Sequence, residues 1–111
     1  MKPASAKNKG RTLQKWVAEQ LLERFPTLQK GDLRSTSMGV TGEDVTRSPY
    51  AKSLIPFQFE CKSSAAFAGY KHMEQAEQHG EDTPVVVVKA NRKKPLVILY
   101  AEDFFNIIKG Q

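Results

Sequence analysis

Four consecutive valines at residues 85–88 predict a strand in the middle of a sheet. β-Branched residues favour extended backbone, and a strand that is apolar on both faces is typical of the buried interior of a parallel or mixed sheet. The run ends at Lys89, and a second apolar segment at residues 96–100 follows a turn over residues 91–95. This spacing predicts a hairpin whose first strand, residues 85–89, is central.

Three helices and three further strands are predicted around this hairpin. Apolar residues recur at three- and four-residue steps from Arg11 to Phe25, which is typical of an amphipathic helix, and Pro26 ends it. A polar helix over residues 69–79 is closed by Gly80, and an apolar helix covers residues 101–109. Strands are predicted at residues 32–37, 44–46 and 55–62, with a loop at 47–54. The order αβββαββα indicates an α/β domain with a mixed β-sheet flanked by helices.

Length and composition limit the classes of protein to which the chain can belong. With 111 residues, 40% hydrophobic and 26% charged, it fits a single folded domain and neither a disordered chain nor a membrane protein. We expect a flexible basic arm at residues 1–9 and one domain at residues 10–111. The single cysteine and the absence of an apolar N-terminal stretch favour the reducing cytoplasm.

Positive charge is concentrated in two places. The net charge is +5, and lysines and arginines cluster at the start of the chain and around the turn at residues 91–94. A small basic domain most commonly binds nucleic acid, so DNA is the expected partner. The alternative is an ordinary solvated surface.

The strand at residues 55–62 ends in two charged side chains that share a face. Glu60 and Lys62 project from one side of an extended strand, while Cys61 projects from the other. If the strand that begins at Asp44 pairs with this one, three charged groups converge. Two carboxylates, with the backbone carbonyl of Cys61, suit Mg²⁺, and a nearby lysine neutralises a phosphate. These groups fit metal-assisted phosphodiester hydrolysis. Two alternatives remain: Glu60 and Lys62 form a surface ion pair, or Glu43 is the ligand in place of Asp44.

This arrangement resembles the PD-(D/E)xK nuclease superfamily, in particular the archaeal Holliday-junction resolvases and related phage and bacterial nucleases. The resemblance covers roughly residues 9–100 and implies a restriction-endonuclease-like fold. It also implies a DNA endonuclease that uses Mg²⁺, with Mn²⁺ as a substitute, and in which Asp44, Glu60 and Lys62 are catalytic. The matching segments are Lys9-Gly10 at the first helix, Arg34, Ser35 and Ser37 near the first strand, Asp44-Val45, and FECK at residues 59–62.

Two positions depart from the family pattern. Glu43 stands where the family has a proline before its aspartate, and Gln14 stands where the resolvases carry a metal-binding glutamate on the first helix. At about 100° per residue, Gln14 lies within about 60° of the centre of the apolar stripe, at the edge of the inward face. We therefore expect Gln14 to assist catalysis by holding a metal-bound water, and we expect one firmly bound metal ion.

The remaining expectations concern partners. The same resemblance implies a homodimer that acts on branched or structured DNA. The last helix has more apolar residues than one buried stripe uses, so we expect part of it to form the dimer interface. Trp16 and the phenylalanines of the last helix are otherwise expected in the core, and His72 and His79 at the surface or facing DNA. A non-catalytic nucleic-acid-binding module and an RNA-directed nuclease are the alternative functions. The expected DNA-binding residues are Lys9, Arg11, Arg34, Ser35, Ser37, Gln75, Arg92, Lys93 and Lys94.

Overall fold

The computed structural model describes residues 3–36, 43–63 and 68–108, which form a mixed α/β fold. A 3₁₀ turn at Lys30–Asp32 precedes the first strand. The helices are α1 (Pro3–Arg24), α2 (Pro49–Leu54), α3 (Gly69–Glu77) and α4 (Ala101–Ile108), and the strands are β1 (Leu33–Ser35), β2 (Val45–Arg47), β3 (Phe57–Ser63), β4 (Thr83–Lys89) and β5 (Leu96–Ile98).

The strands form two small sheets. In one, β1 pairs antiparallel with β2; in the other, β4 lies between β3, which is parallel to it, and β5, which is antiparallel. All four valines of β4 are buried. The predicted central strand and its hairpin with β5 are therefore confirmed.

Helices cover both faces of the three-stranded sheet. On one face, Phe59 and Cys61 of β3 pack with Val85 and Val87 of β4 against α1, which contributes Leu13 and other apolar residues. On the other face, Val86 and Val88 pack against Met73 and Ala76 of α3. The alternation along β4 thus divides its four valines between two cores.

Several elements differ from the sequence-based expectation. Helix α1 begins at Pro3 rather than at Arg11, so it includes most of the segment that was assigned to a flexible arm. The expected loop at residues 47–54 contains α2, because the Ser48 hydroxyl caps the Ala51 N–H and Pro49 occupies the first helical turn. The observed order is therefore αββαβαββα.

Two predictions of core packing were wrong. Trp16 is 41% exposed, and Phe104 and Phe105 are 49% and 61% exposed. Helix α4 contributes no buried residue to either core within the part of the chain that the structure describes. None of the described helices is long and apolar enough to cross a membrane.

The side chain of Gln58 fixes the end of α3 against the sheet. Its Nε2 donates to the carbonyls of Ala76 (2.8 Å) and Gly80 (3.0 Å), and its Oε1 accepts the Asp82 N–H (3.0 Å). Gln58 is only 1% exposed, and its hydrogen bond to Ala76 is buried, whereas those to Gly80 and Asp82 are partly buried. A Cβ at Gly80 would lie 2.9 Å from Gln58 Oε1, which explains why the chain turns on a glycine here.

We predict that Gln58→Leu lowers the free energy of unfolding by about 3 kcal/mol, because a leucine removes the three hydrogen bonds that the Gln58 amide makes to the backbone of Ala76, Gly80 and Asp82. Urea unfolding followed by circular dichroism measures the loss. Gln78→Leu is the matched control, since Gln78 is exposed one residue beyond α3, and it should change stability by less than about 0.5 kcal/mol. Equal stabilities of the two variants would contradict the role assigned to Gln58.

Candidate metal and phosphodiester site

Asp44 is held at the junction of the two sheets by three hydrogen bonds. Its N–H donates to the Phe59 carbonyl in β3 (3.1 Å), and its carbonyl accepts the Thr36 N–H next to β1 (2.8 Å). Its carboxylate Oδ2 accepts the backbone N–H of Cys61 (2.8 Å). The expected approach of the two strands is therefore present at this point, although β2 and β3 form no continuous ladder.

Glu60 carries two contacts, one on each carboxylate oxygen. Lys62 Nζ lies 2.9 Å from Oε2, and His79 Nε2 lies 2.5 Å from Oε1. Glu60 itself is buried, whereas the Lys62 side chain is about one-third exposed. The prediction that Glu60 and Lys62 share a face of β3 is confirmed, and this ion pair is shielded rather than superficial.

Asp44, Glu60 and His79 form a cluster that could hold a metal ion. One ligand atom from each residue lies within 4.8 Å of the other two. Burial raises the pKa of Asp44, and the negative charge of Glu60 raises it further, whereas the hydrogen bond from Cys61 opposes the shift. Two partly desolvated carboxylates at this separation repel each other, and a bound cation would relieve that repulsion.

The expectation that His79 lies at the surface was wrong. Its side chain is 13% exposed and contacts Glu60. His79 lies just after the end of α3, and the side chain of Gln58 anchors this end of the helix to β3. Gln58 precedes Glu60 by two positions, so both side chains project from the same face of β3. In the sequence, His79 ends a predicted helix and Gly80 follows it. Whether this histidine reaches Glu60 depends on which face of the sheet α3 covers.

Glu43, the alternative metal ligand, forms an ion pair with Arg47 instead. Arg47 Nε lies 3.0 Å from Glu43 Oε1, and Arg47 Nη2 lies 2.9 Å from Oε2, so the pair is bidentate. Arg47 also donates to Asp82 Oδ2 (2.8 Å) and is itself buried. Between the two candidates, Asp44 is thus the one that joins Glu60.

The thiol of Cys61 belongs to the core. It packs on the α1 face of the sheet, opposite Glu60, as predicted. Burial raises its pKa, and the charges of Asp44 and Glu60 act in the same direction. The burial of the thiol and its raised pKa disfavour a thiolate nucleophile, and Cys61 contacts the cluster through its backbone N–H.

Two glutamines place unpaired oxygens in the protein interior. Gln14 is buried, as its position at the edge of the inward helix face predicted, and Gln75 is half-buried on α3. Among the described residues, neither Gln14 Oε1 nor Gln75 Oε1 has a hydrogen-bond donor. Burial and then the charge of Lys62 lower the pKa of His72, which is half-buried on α3.

The two basic segments of the sequence lie beside each other. Lys9 Nζ in α1 donates to Asn91 Oδ1 in the turn between β4 and β5 (3.0 Å). The expected DNA-binding residues of α1, β1 and this turn are exposed or half-buried, whereas Ser37 lies outside the described residues. Those placed on the surface in this way are Lys9, Arg11, Arg34, Ser35, Arg92, Lys93 and Lys94.

Comparison with known proteins assigns no family. The chain matches no protein-family model, no curated protein and no solved structure. The functional argument therefore depends on the geometry of the cluster and on the residues around it.

We predict that Asp44→Asn raises the thermal unfolding midpoint of the metal-free protein at pH 7. The raised pKa means that the folded state disfavours the ionised carboxylate, and an asparagine oxygen can still accept the Cys61 N–H. The difference should shrink as the pH falls through the raised pKa towards the ordinary value of 3.8, because the wild-type carboxyl then becomes protonated.

Differential scanning fluorimetry in EDTA provides the measurement. Asp44→Ala is the control, since it removes both the charge and the hydrogen-bond acceptor, and it should be less stable than Asp44→Asn. A midpoint for Asp44→Asn at or below that of the wild type would show that the carboxylate is not strained in the folded protein.

Proposed function

We propose that the chain is a metal-dependent endonuclease that hydrolyses phosphodiester bonds in DNA. The observation that carries the proposal is the convergence of Asp44 and Glu60 from separate strands, with Lys62 bound to the same glutamate. Structural ion pairs do not require a buried and a half-buried carboxylate at this distance, whereas metal-assisted hydrolysis uses converging carboxylates. The basic surface beside the sheet supports an anionic polymer as the substrate.

The donor set fits a hard divalent cation. Asp44 Oδ1 is not used by the hydrogen bond from Cys61, and Glu60 supplies further carboxylate oxygen. These are the ligands that Mg²⁺ prefers, and the imidazole of His79 makes Mn²⁺ a suitable substitute. When bound, such an ion supplies positive charge that activates water and stabilises the developing phosphorane.

Lys62 would bind the negatively charged phosphate of the substrate. Its ammonium nitrogen lies 2.9 Å from Glu60 Oε2, and the side chain is about one-third exposed, so a phosphate oxygen that enters the site could contact it. In this position it would orient the attacking water and offset the negative charge that forms on the phosphate. Gln14, whose buried oxygen has no described donor, would hold a water molecule at the edge of the site.

The finer proposal is a resolvase-like enzyme that acts on branched DNA as a homodimer. A domain with one cluster cuts one strand, whereas resolving a junction requires two symmetric cuts, which a twofold dimer provides. Helix α4 offers an apolar surface for that interface, because its four large apolar residues, Phe104, Phe105, Ile107 and Ile108, are each at least 44% exposed.

We predict that Asp44→Asn and Glu60→Gln each reduce Mg²⁺-dependent cleavage by about a thousandfold, because several kcal/mol of transition-state stabilisation are lost with a metal-ligand charge. DNA affinity and fold should change little. The measurement uses labelled single-stranded, duplex, flapped and four-way-junction DNA, with and without Mg²⁺.

Glu19→Gln is the matched control, because Glu19 is an exposed carboxylate on α1, and it should cleave like the wild type. Retention of more than about a tenth of wild-type activity by both site variants would contradict the proposal. Wild-type binding without any cleavage would instead favour a nucleic-acid-binding module.

We also predict that Phe105→Glu converts a dimer into a monomer, because a charge in the centre of an apolar interface is costly to desolvate. Light scattering at micromolar concentration gives the mass, and paired nicks across a four-way junction report the symmetry of cutting. Tyr50→Glu, on the exposed side of α2, is the control and should remain dimeric. A wild-type monomer that cuts linear duplex as readily as a junction would contradict the resolvase-like proposal alone.

A further inference from the structure

A cavity of about 380 Å³ lies on the α1 face of the sheet, at the ends of β3 and β4. Its walls include Lys9 and Trp16 of α1, Ser63 of β3, and Lys89 and Asn91 at the end of β4. Ser63 and Lys89 are paired across the two parallel strands, so the cavity opens at the end of the ladder. None of the described residues that line it is acidic.

Trp16 is placed differently from the other apolar residues of α1. The buried stripe uses Leu13, Val17 and Ala18, whereas the indole is 41% exposed and forms part of the cavity wall. An exposed indole beside lysines is a surface on which a nucleobase can stack, since every base has a π-face. The neighbouring ammonium groups supply the charge that a phosphate requires.

The lysines are held towards the cavity by contacts within the fold. Lys9 Nζ donates to Asn91 Oδ1 (3.0 Å), and Lys89 Nζ donates to the carbonyl of Ala90 (3.2 Å). Both partners are neutral, so each ammonium retains its full positive charge for an anion. The turn that carries Asn91 adds three exposed cations, Arg92, Lys93 and Lys94.

The cavity and the candidate site are lined by consecutive residues of β3. Ser63 directly follows Lys62, and adjacent strand residues point to opposite faces of the sheet. The last two residues of β3 thus face the two sites, Lys62 on the α3 side of the sheet and Ser63 on the α1 side.

We propose that this cavity binds one unpaired nucleotide of a single-stranded DNA segment, with the base stacked on Trp16 and the phosphate beside Lys9 and Lys89. The choice of DNA rests on the proposed function. Unpaired bases are required, because a base within a duplex is stacked on its neighbours and cannot reach the indole.

The chain contains one tryptophan, so its fluorescence reports directly on this surface. The 111-residue protein is titrated in EDTA, which prevents metal-dependent cleavage, with a decathymidylate, an abasic oligomer of the same length and a blunt duplex. The decathymidylate should quench the emission to a plateau. The abasic oligomer and the duplex should leave it nearly unchanged even where they bind through charge.

Variants separate stacking from charge. With a fluorescently labelled decathymidylate, Trp16→Ala should weaken binding about 5- to 100-fold, and Trp16→Phe should retain most of the affinity. Lys89→Ala should lower the logarithmic salt dependence by about 0.7. The controls are Tyr50→Ala for an exposed aromatic residue and Lys52→Ala for an exposed charge, and both should bind like the wild type.

Three results would overturn the inference: emission that does not change at saturating decathymidylate, equal quenching by the abasic oligomer, or unchanged affinity of a folded Trp16→Ala protein. Circular dichroism establishes the fold of that variant, and Trp16→Phe provides the second test. Cleavage is measured separately with Mg²⁺. Quenching without cleavage would support the nucleotide site and contradict only the nuclease proposal, whereas cleavage without quenching would do the reverse.

Discussion

Asp44 connects the two sheets, and the position of the candidate site depends on this connection. Its backbone bonds to Thr36 on one side and to Phe59 on the other, and its carboxylate accepts the Cys61 N–H. A side chain in the first position of an ordinary turn would be solvated and free to rotate. Here the carboxylate is fixed against β3, so the residue that joins the sheets also carries one of the two converging charges.

This arrangement has an electrostatic cost that its surroundings offset only in part. Burial and Glu60 raise the pKa of Asp44, whereas Lys62 and His79 lower it by smaller contributions. By contrast, the nearby Glu43 has a bidentate arginine partner, Arg47, and serves the fold. The two adjacent acids thus have different roles: one is fully paired, and the other retains a carboxylate oxygen for a ligand. Such incomplete compensation is typical of functional sites.

The structural features that depend on a local pattern of residues could be predicted from the sequence. The valines of β4 and the alternation of Glu60, Cys61 and Lys62 determine strand and face without knowledge of the partners, and the structure agrees. The sequence could not predict the place of His79, because that depends on the side-chain amide of Gln58 holding the end of α3. The exposure of Trp16 was missed for a similar reason, since helical periodicity gives the direction of a side chain but not whether another element covers it.

The two faces of β3 restrict the shape of a substrate that could contact both the candidate site and the Trp16 cavity. Lys62 and Ser63 are consecutive but point to opposite sides, and α1 and α3 cover the sheet on those sides. A substrate that contacts both sites must therefore turn from one side of the sheet to the other. Duplex DNA, with a persistence length of about 50 nm, resists so sharp a turn, whereas a single strand makes it at little cost. If both sites act on one molecule, the geometry favours DNA with an unpaired segment at a branch or flap over a continuous duplex.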